Sequence, residues 1–364
     1  MPNPSVLQFG TSRFLQAHAD LFFAESMPDA RPVTVVQTSG DARRAARLAA
    51  LAKGYQVRIR GLVNGVPTDT VQEVSSIRRG LSFEADMAEV QDLAQRVDII
   101  LSNTGDTGFS PTPADAKPDL CPKMSYPAKL AHLLHRRFRA GARPVQIMPT
   151  ELIRNNGTQL RHLVCQAAAD MGKEYHDWLC HEVVWVNSLV DRIVSQPLYP
   201  AGAVAEPYAL WAIQDQARLT VPCIHPAVQV VPDLGVIERR KLFVLNLGHS
   251  LMVSEWLEKG RFGPVHVRDV MQDADWAARL RALYKDEVRP AFVLAGEAEG
   301  LDDYIETTLG RFANPYLDHR LEDIAQNHAE KLDRRIGAFL SWAQAHGDSG
   351  PKPKLRAALQ GQIE

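Results

Sequence analysis

The chain has little that would tie it to a membrane, a nucleic acid or an oxidising compartment. No apolar stretch approaches the roughly 20 residues that a membrane-spanning helix needs. The opening Met1-Pro-Asn-Pro-Ser has no basic segment leading into an apolar one, so no secretory leader is expected. Charge of one sign is not in excess. The 41 Lys and Arg stand against 43 Asp and Glu with no long run of either, which removes the electrostatic footprint of a DNA- or RNA-binding protein. Cysteine is scarce: Cys121, Cys165, Cys180 and Cys223 include no Cys-x-x-Cys pair, and we expect reduced thiols. Cys180 adjoins His181, but no further ligands stand at a recognisable zinc spacing, so no metal is expected. Internal repeats and low-complexity tracts are also missing. These absences leave, as the expectation, a cytoplasmic protein, monomer or homodimer, whose partner is a small molecule.

What is present is enough apolar sequence for two cores, since 45% of 364 residues are hydrophobic. The first half alternates short β-rich runs with helical stretches, the pattern of a doubly wound α/β domain. Candidate strands are Ser5 to Phe9, Val33 to Thr38, Val97 to Ser102, Val145 to Met148 and Val183 to Asn187. Between the second and third, Tyr55-Gln-Val-Arg-Ile-Arg alternates and Asn64-Gly65 supplies the positive-φ pair of a tight hairpin, predicting an antiparallel edge. A Pro- and Gly-rich stretch follows Arg192, and beyond Lys241 the pattern is almost wholly helical. The fold expected is α/β: a Rossmann-type domain over 1–195, a mainly α-helical domain over 196–346 and a mobile tail over 347–364. Tyr316 to Ala345 repeats apolar residues at helical spacing and ends before Gly347.

Two segments carry candidate chemistry. Leu7-Gln-Phe-Gly-Thr-Ser-Arg-Phe-Leu-Gln-Ala-His runs from a strand through Gly10 into a helix, the setting in which backbone N–H groups receive the diphosphate of a dinucleotide. Ser12 stands where a second glycine is usual, and an ordinary strand-to-helix turn would read the same way. After the second strand, Asp41 argues for the free ribose of NAD while Arg43 and Arg44 argue for the 2′-phosphate of NADP, with the balance toward NAD. Asn103 and Thr104, in a small polar stretch just past the third strand, lie at the carboxyl edge of the sheet where ligands of such folds bind.

The second segment is Lys241-Leu-Phe-Val-Leu-Asn-Leu-Gly-His. On an α-helix Asn246 lies about 140° and His249 about 80° round from Lys241, so the three share one side. Oxidising an alcohol without a metal requires a group that removes the hydroxyl proton, and a desolvated lysine beside a nicotinamide cation can do so near neutral pH. Asn246 can then donate to the oxygen and His249 can fix neighbouring hydroxyls. A lysine reaching solvent above a core Asn and His would show the same spacing.

The Lys-x4-Asn-x2-His element resembles the signature of the polyol-specific long-chain dehydrogenases, the mannitol dehydrogenase family. Further likeness comes from the glycine turn at residues 10–18, Ser125-Tyr-Pro-Ala-Lys-Leu, Asn155-Asn-Gly, Asn187-Ser-Leu-Val-Asp-Arg-Ile, Glu206-Pro-Tyr with Trp211, and Arg311-Phe-Ala-Asn-Pro-Tyr-Leu-Asp-His. The resemblance implies a nicotinamide-dependent, metal-independent oxidation of a sugar alcohol or sugar acid in a cleft between two domains. It implies Lys241 as base with Asn246, His249 and Asp191, and cofactor contacts from Gly10, Thr11, Ser12, Arg13, Phe14, Asp41, Asn103, Thr104 and Asn156. Mannitol dehydrogenases carry a Cys-Asp-Asn triplet whose asparagine helps form the oxyanion pocket; here Thr150-Glu151-Leu152 stands in its place, which leaves Asn156 or a backbone N–H as a substitute donor. That segment, Pro127-Ala-Lys-Leu and residues 323–328 resemble the altronate and mannonate oxidoreductases, with Arg320, Lys331 or Arg311 available for a substrate carboxylate. The chain's length is nearer the mannitol-1-phosphate dehydrogenases, and a non-catalytic dinucleotide-binding sensor is the alternative of a different class.

Overall fold

The computed structural model describes residues 5–26, 31–38, 45–105 and 107–361. It divides into two compact units. The first comprises residues up to 59, 70–205 and 209–234; the second comprises 60–69, 206–208 and 235 onward.

In the first unit the strands are β1 (Val6–Phe9), β2 (Val33–Gln37), a hairpin of β3 (Tyr55–Val63) and β4 (Val66–Val74), β5 (Ile77–Ser82), β6 (Ile99–Ser102), β7 (Gln146–Pro149) and β8 (Val184–Trp185). The tip of the hairpin, 60–69, is counted with the second unit. Six of these strands form a parallel sheet in the order β5-β2-β1-β6-β7-β8. Successive residues of β1 alternate between two cores: Val6 joins Val33, Ile99 and Phe22, whereas Leu7 and Phe9 join Ile100, Ile147 and Leu130. A strand buried on both faces needs a continuous apolar run, which is what made these segments legible. The order reverses between β1 and β6, and their carboxyl ends open the crevice in which folds of this kind bind ligands.

The hairpin forms as expected, with Asn64 at φ 52° and Gly65 at φ 77°. Beyond β8 come β9 (Ser188–Asp191), β10 (Val194–Pro197), β11 (Ala203–Ala205), β12 (Leu210–Gln214) and β13 (Val228–Val231). β10 and β11 extend the hairpin sheet through β3, and β12 lies between β13 and β9. This moves the boundary from the expected 195 to 234. Residues 196–205 and 209–234, assigned to the helical part by their Pro and Gly content, belong to the first unit instead, where β10 to β13 pair with its strands.

The second unit is helical around a core that includes Phe243, Trp276, Tyr284, Phe292 and Phe339. Tyr316 to Ala345 is not one helix: Asn327 at φ 53° separates Leu321–Ala325 from His328–Leu332, which continues into Ala338–Ala345. The described part of the tail, 347–361, is also ordered where mobility was expected. Pro353–Gln360 is a helix, Leu355 is fully buried, and the Lys352 ammonium meets Asp348 at 2.6 Å with both side chains buried. Backbone N–H groups of Lys354 and Leu355 donate to the Glu287 carboxylate.

Candidate active site

Gly10 ends β1 with φ +117°, and a Cβ there would stand 2.3 Å from the Asn103 carbonyl oxygen. Only glycine lets the loops after β1 and β6 approach this closely. Between them and the end of β2 lies a cavity of about 260 Å³ lined by Gly10, Thr11, Ser12, Gln37, Thr38, Arg47 and residues 103–105. Its place at the strand-order reversal, with the bare glycine backbone on one wall, fits a dinucleotide. Residues 10–12 would face the diphosphate, Gln37 and Thr38 the adenosine ribose. Asp41, with Arg43 and Arg44, lies outside the described residues.

Not every residue expected at the cofactor points toward this cavity. Ser12 Oγ accepts from the Leu15 N–H and donates to Asn103 Oδ1. Arg13 donates to the Gly202 and Pro200 carbonyls, and Phe14 stacks on His18 at 4.7 Å between ring centroids. These two side chains hold the glycine turn to its own unit.

Asn103 Nδ2 donates to the Thr150 carbonyl at 2.9 Å. Glu151, 3% exposed, accepts from Ser102 Oγ at 3.1 Å and from the N–H and hydroxyl of Thr104 at 2.9 and 3.1 Å. Burial raises this carboxyl's pKa above its ordinary value, against the pull of those donors. Glu151, which sequence reasoning treated only as part of an altered triplet, therefore clamps the loop that carries Asn103 and Thr104. Leu152 beside it is 74% exposed. Asn156 is fully buried: its Nδ2 donates to the carbonyls of Pro149, Glu151 and Ser188, while Oδ1 accepts from the N–H groups of Gly157 and Ser188. A direct contact from Asn156 to a ligand would require one of these bonds to open. Asp191 is buried on β9, opposite Leu210 of β12.

In the second unit Lys241, Asn246 and His249 lie on one uninterrupted helix, but its middle is not α-helical. Leu234–Arg240 is α, Lys241–Asn246 is π, and Leu247–Glu258 is α again. Bonds from i to i+5 bring residue 246 closer to the line of residue 241 than the α-helical spacing predicts. Two more π turns, Tyr284–Val288 and Asp333–Gly337, pack against the first. The Tyr284 hydroxyl donates to the Val244 carbonyl at 2.8 Å, and a Cβ on Gly248 would meet that hydroxyl at 2.2 Å.

His249 is 5% exposed and packed against Phe312 and His319, with ring centroids at 4.6 and 4.8 Å. Burial first, then the neighbouring His319, Arg335, Arg311 and Lys331, hold its pKa well below the usual 6.5, so the ring is neutral. Its Nε2 is buried with no hydrogen-bond partner among the described residues. Two cations that act on it, Arg335 and Lys331, stand on one helical stretch with a neutral imidazole, His328. Arg335, whose pKa burial lowers only to about 10, donates to the Asn246 carbonyl at 3.2 Å and to Ser250 Oγ at 3.0 Å. Lys331 gives one of its three donors to the Ile324 carbonyl at 2.8 Å. His328, lowered by burial to about 4, meets Ser254 Oγ at 3.0 Å.

Of the carboxylate candidates, then, Lys331 joins this group and Arg320 does not. Arg320 is half exposed and pairs with Glu322 at 3.2 Å. Arg311 is buried, but its guanidinium forks onto the equally buried Glu206 at 2.8 and 3.0 Å and covers the Tyr208 ring. The residues sequence reasoning missed are Arg335, His319 and His328. His328, Lys331 and Arg335 recur at three and four residues, a helical spacing that does mark one face.

The model of the mannitol dehydrogenase Rossmann domain matches residues 4–224, and that of the mannitol dehydrogenase C-terminal domain matches 233–356. The chain belongs to the mannitol dehydrogenase family. As a family member it is an NAD-dependent dehydrogenase acting on CH–OH groups. Among its relatives, the altronate oxidoreductase of Bacillus subtilis (strain 168) is 29% identical over 94% of this chain and 76% of its own length. That of Klebsiella pneumoniae (strain 342) is 30% identical over 98% and 79%. Among solved structures, a D-sorbitol dehydrogenase in substrate-free form superposes with a TM-score of 0.83 at 20% identity, covering 99% of this chain and 80% of its own. The Pseudomonas fluorescens mannitol 2-dehydrogenase, solved with NAD and D-mannitol, superposes at 0.68 and 19% identity over 98% and 84%. These two likenesses show the family's fold: a parallel-sheet domain followed by a helical one.

Proposed function

We propose that this mannitol dehydrogenase family member interconverts a secondary alcohol of a linear hexonate, of the altronate type, with the corresponding keto-uronate, and that Lys241 is the general base. The observation that carries the reading is the buried, unpartnered Nε2 of neutral His249 amid Lys331 and Arg335. A neutral imidazole nitrogen in that position suits a substrate hydroxyl, and the cations beside it suit a carboxylate. The altronate oxidoreductases among its relatives favour the same substrate class.

In this reading the Lys241 amine takes the hydroxyl proton as the carbinol carbon loses hydride. The bound dinucleotide supplies the hydride acceptor. Asn246 Nδ2 donates to the oxygen as it becomes a carbonyl, a contact worth most where charge develops. The backbone carbonyl of Asn246 already accepts from Arg335, which fixes the side chain's origin. His249 holds a neighbouring hydroxyl, and Lys331 and Arg335 attract the carboxylate. No step needs a metal.

The test is a screen of NADH and NADPH oxidation with tagaturonate, fructuronate, fructose and fructose 6-phosphate. The keto-uronates with NADH are expected to give the highest kcat/KM. Preference for fructose 6-phosphate would assign the cations to a phosphate, and no oxidation with any of the four would refute the hexonate reading. Lys241→Ala is expected to lower kcat by about 100- to 10,000-fold while NADH still binds.

A further inference from the structure

The first unit brings together three side chains that its sequence scatters. Cys165 lies on the helix Asn156–Ala167, and His176 and Cys180 lie on Lys173–His181. Cys165 Sγ is 3.7 Å from Cys180 Sγ, and Cys180 Sγ is 3.8 Å from His176 Nδ1. One ligand atom from each of the three falls within 4.8 Å of the others. We infer that Cys165, His176 and Cys180 form a zinc-binding site separate from the alcohol-oxidising chemistry.

The argument is geometric. With Zn–S of about 2.3 Å and Zn–N of about 2.0–2.1 Å, tetrahedral angles put two sulfur ligands about 3.8 Å apart and a sulfur and a nitrogen about 3.6 Å apart. These two edges match both values closely, and the third, Cys165 to His176, lies within 4.8 Å and closes on an ion by side-chain rotation. A disulfide, by contrast, needs the sulfurs at about 2.05 Å. Secondary structure explains the convergence. His176 and Cys180 are four apart on one helix and share a face. Cys165 and Cys180 each follow a fully buried residue, Val164 and Leu179, so both sit at the rim of the seam between the two helices. The three ligands are themselves half-buried, which leaves solvent to supply the fourth position. His181, the neighbour that the sequence offered, is not the partner: its Nδ1 bonds the Asp177 carbonyl.

Binding is a simple exchange. Zn²⁺ enters, both thiols release their protons to solvent, the neutral His176 imidazole donates its lone pair, and no oxidation state changes. Two thiolates and one imidazole form the borderline-soft donor set that zinc prefers over magnesium or calcium. The ion would staple the two helices together at the end of Asn156–Ala167 remote from Asn156.

The test uses the full chain, reduced and stripped with chelator, titrated with Zn²⁺ against a chromophoric competitor. One zinc per chain is expected, with protection of Cys165 and Cys180, but not Cys121, from alkylation. Cobalt in its place is expected to give the intense visible bands of a tetrahedral thiolate complex. Cys165→Ser, Cys180→Ser and His176→Ala are each expected to weaken binding by more than about 100-fold, exceeding the loss usual for a residue behind the ligands. NADH binding and turnover should be unchanged in all three. Wild-type protein that takes up no zinc, zinc uptake that survives the three substitutions, or equal protection of Cys121 would each overturn the assignment. The alkylation readout needs no variant, so a substitution that disturbs folding leaves the inference open to refutation.

Discussion

His18 and Asp20, two residues apart in the glycine-turn segment, set opposing pH dependences on stability. His18 is fully buried between Phe14, Phe22 and Trp211, and its Nε2–H donates to the Leu210 carbonyl at 2.9 Å. Burial drives its pKa from 6.5 to about 3. Asp20, 1% exposed, accepts from the Tyr55 hydroxyl at 3.2 Å, yet burial raises its carboxyl from 3.8 to about 7. Between pH 3 and 6.5 the unfolded chain holds a proton on His18 that the folded chain refuses, so stability falls as pH falls. Between pH 3.8 and 7 the folded chain keeps a proton on Asp20 that the unfolded chain gives up, so stability falls as pH rises. Each slope is about 1.4 kcal/mol per pH unit, and over roughly pH 4.5 to 6 they cancel. His18→Phe keeps the ring and removes the titration, leaving the Leu210 carbonyl without its donor as a pH-independent cost. The stability of wild type relative to this variant is expected to rise by about 2 kcal/mol from pH 4.5 to 6. Relative to Asp20→Asn it is expected to fall by the same amount, and relative to the double variant to stay level. Urea unfolding read by hydrogen exchange in peptides spanning residues 6–25 reports the first unit by itself. A flat difference for either single variant would refute the argument.

Glu151→Ala removes the acceptor of Ser102 and of both Thr104 donors, so the first unit is expected to lose about 2–4 kcal/mol and NADH to bind more weakly, by thermal unfolding and fluorescence titration. Arg311→Met removes the guanidinium fork from the Glu206 carboxylate, buried to 1% side-chain exposure, and is expected to cost about 3–5 kcal/mol. Adding Glu206→Gln to Arg311→Met is expected to restore part of that loss; an additive further loss in urea titrations would show that the buried negative charge was not the source of the cost.

The parts of the fold that sequence made legible were those where one face or run decides the structure. Leu7, Phe9, Ile99 to Leu101 and Ile147 are buried in the middle of a sheet, and their segments leave no alternative to a strand. β5 was missed because Ile77-Arg-Arg-Gly-Leu-Ser buries little more than Ile77 and Leu81 and takes its place from pairing with β2. Strands β9–β13 were missed for a similar reason: their Pro- and Gly-rich surroundings say loop, and only distant backbone partners make them strands. The tail misled through composition, since one buried leucine and one ion pair outweigh its Gly, Pro and Lys. At the site, Lys241, Asn246 and His249 were legible as a set, but the cations near His249 come from a second helix, and no local pattern announces which helix packs on which. The same holds for Cys165, whose distance from Cys180 depends on the seam between two helices.

The π turn at Lys241 also bears on how this chain can change length. A π turn holds one more residue than the α-helical turn it replaces. Were one residue among 242–245 lost, the helix could close into regular α geometry with Asn246 about 40° round from Lys241, close to the line on which the π turn already holds it. His249, three residues further along the α-helical part, would keep its relation to Asn246. The contact that such a loss would have to rebuild is the Tyr284 hydroxyl on the Val244 carbonyl, inside the turn itself. The spacing of the three side chains is therefore set by the turn as a whole and tolerates one residue fewer than it now contains.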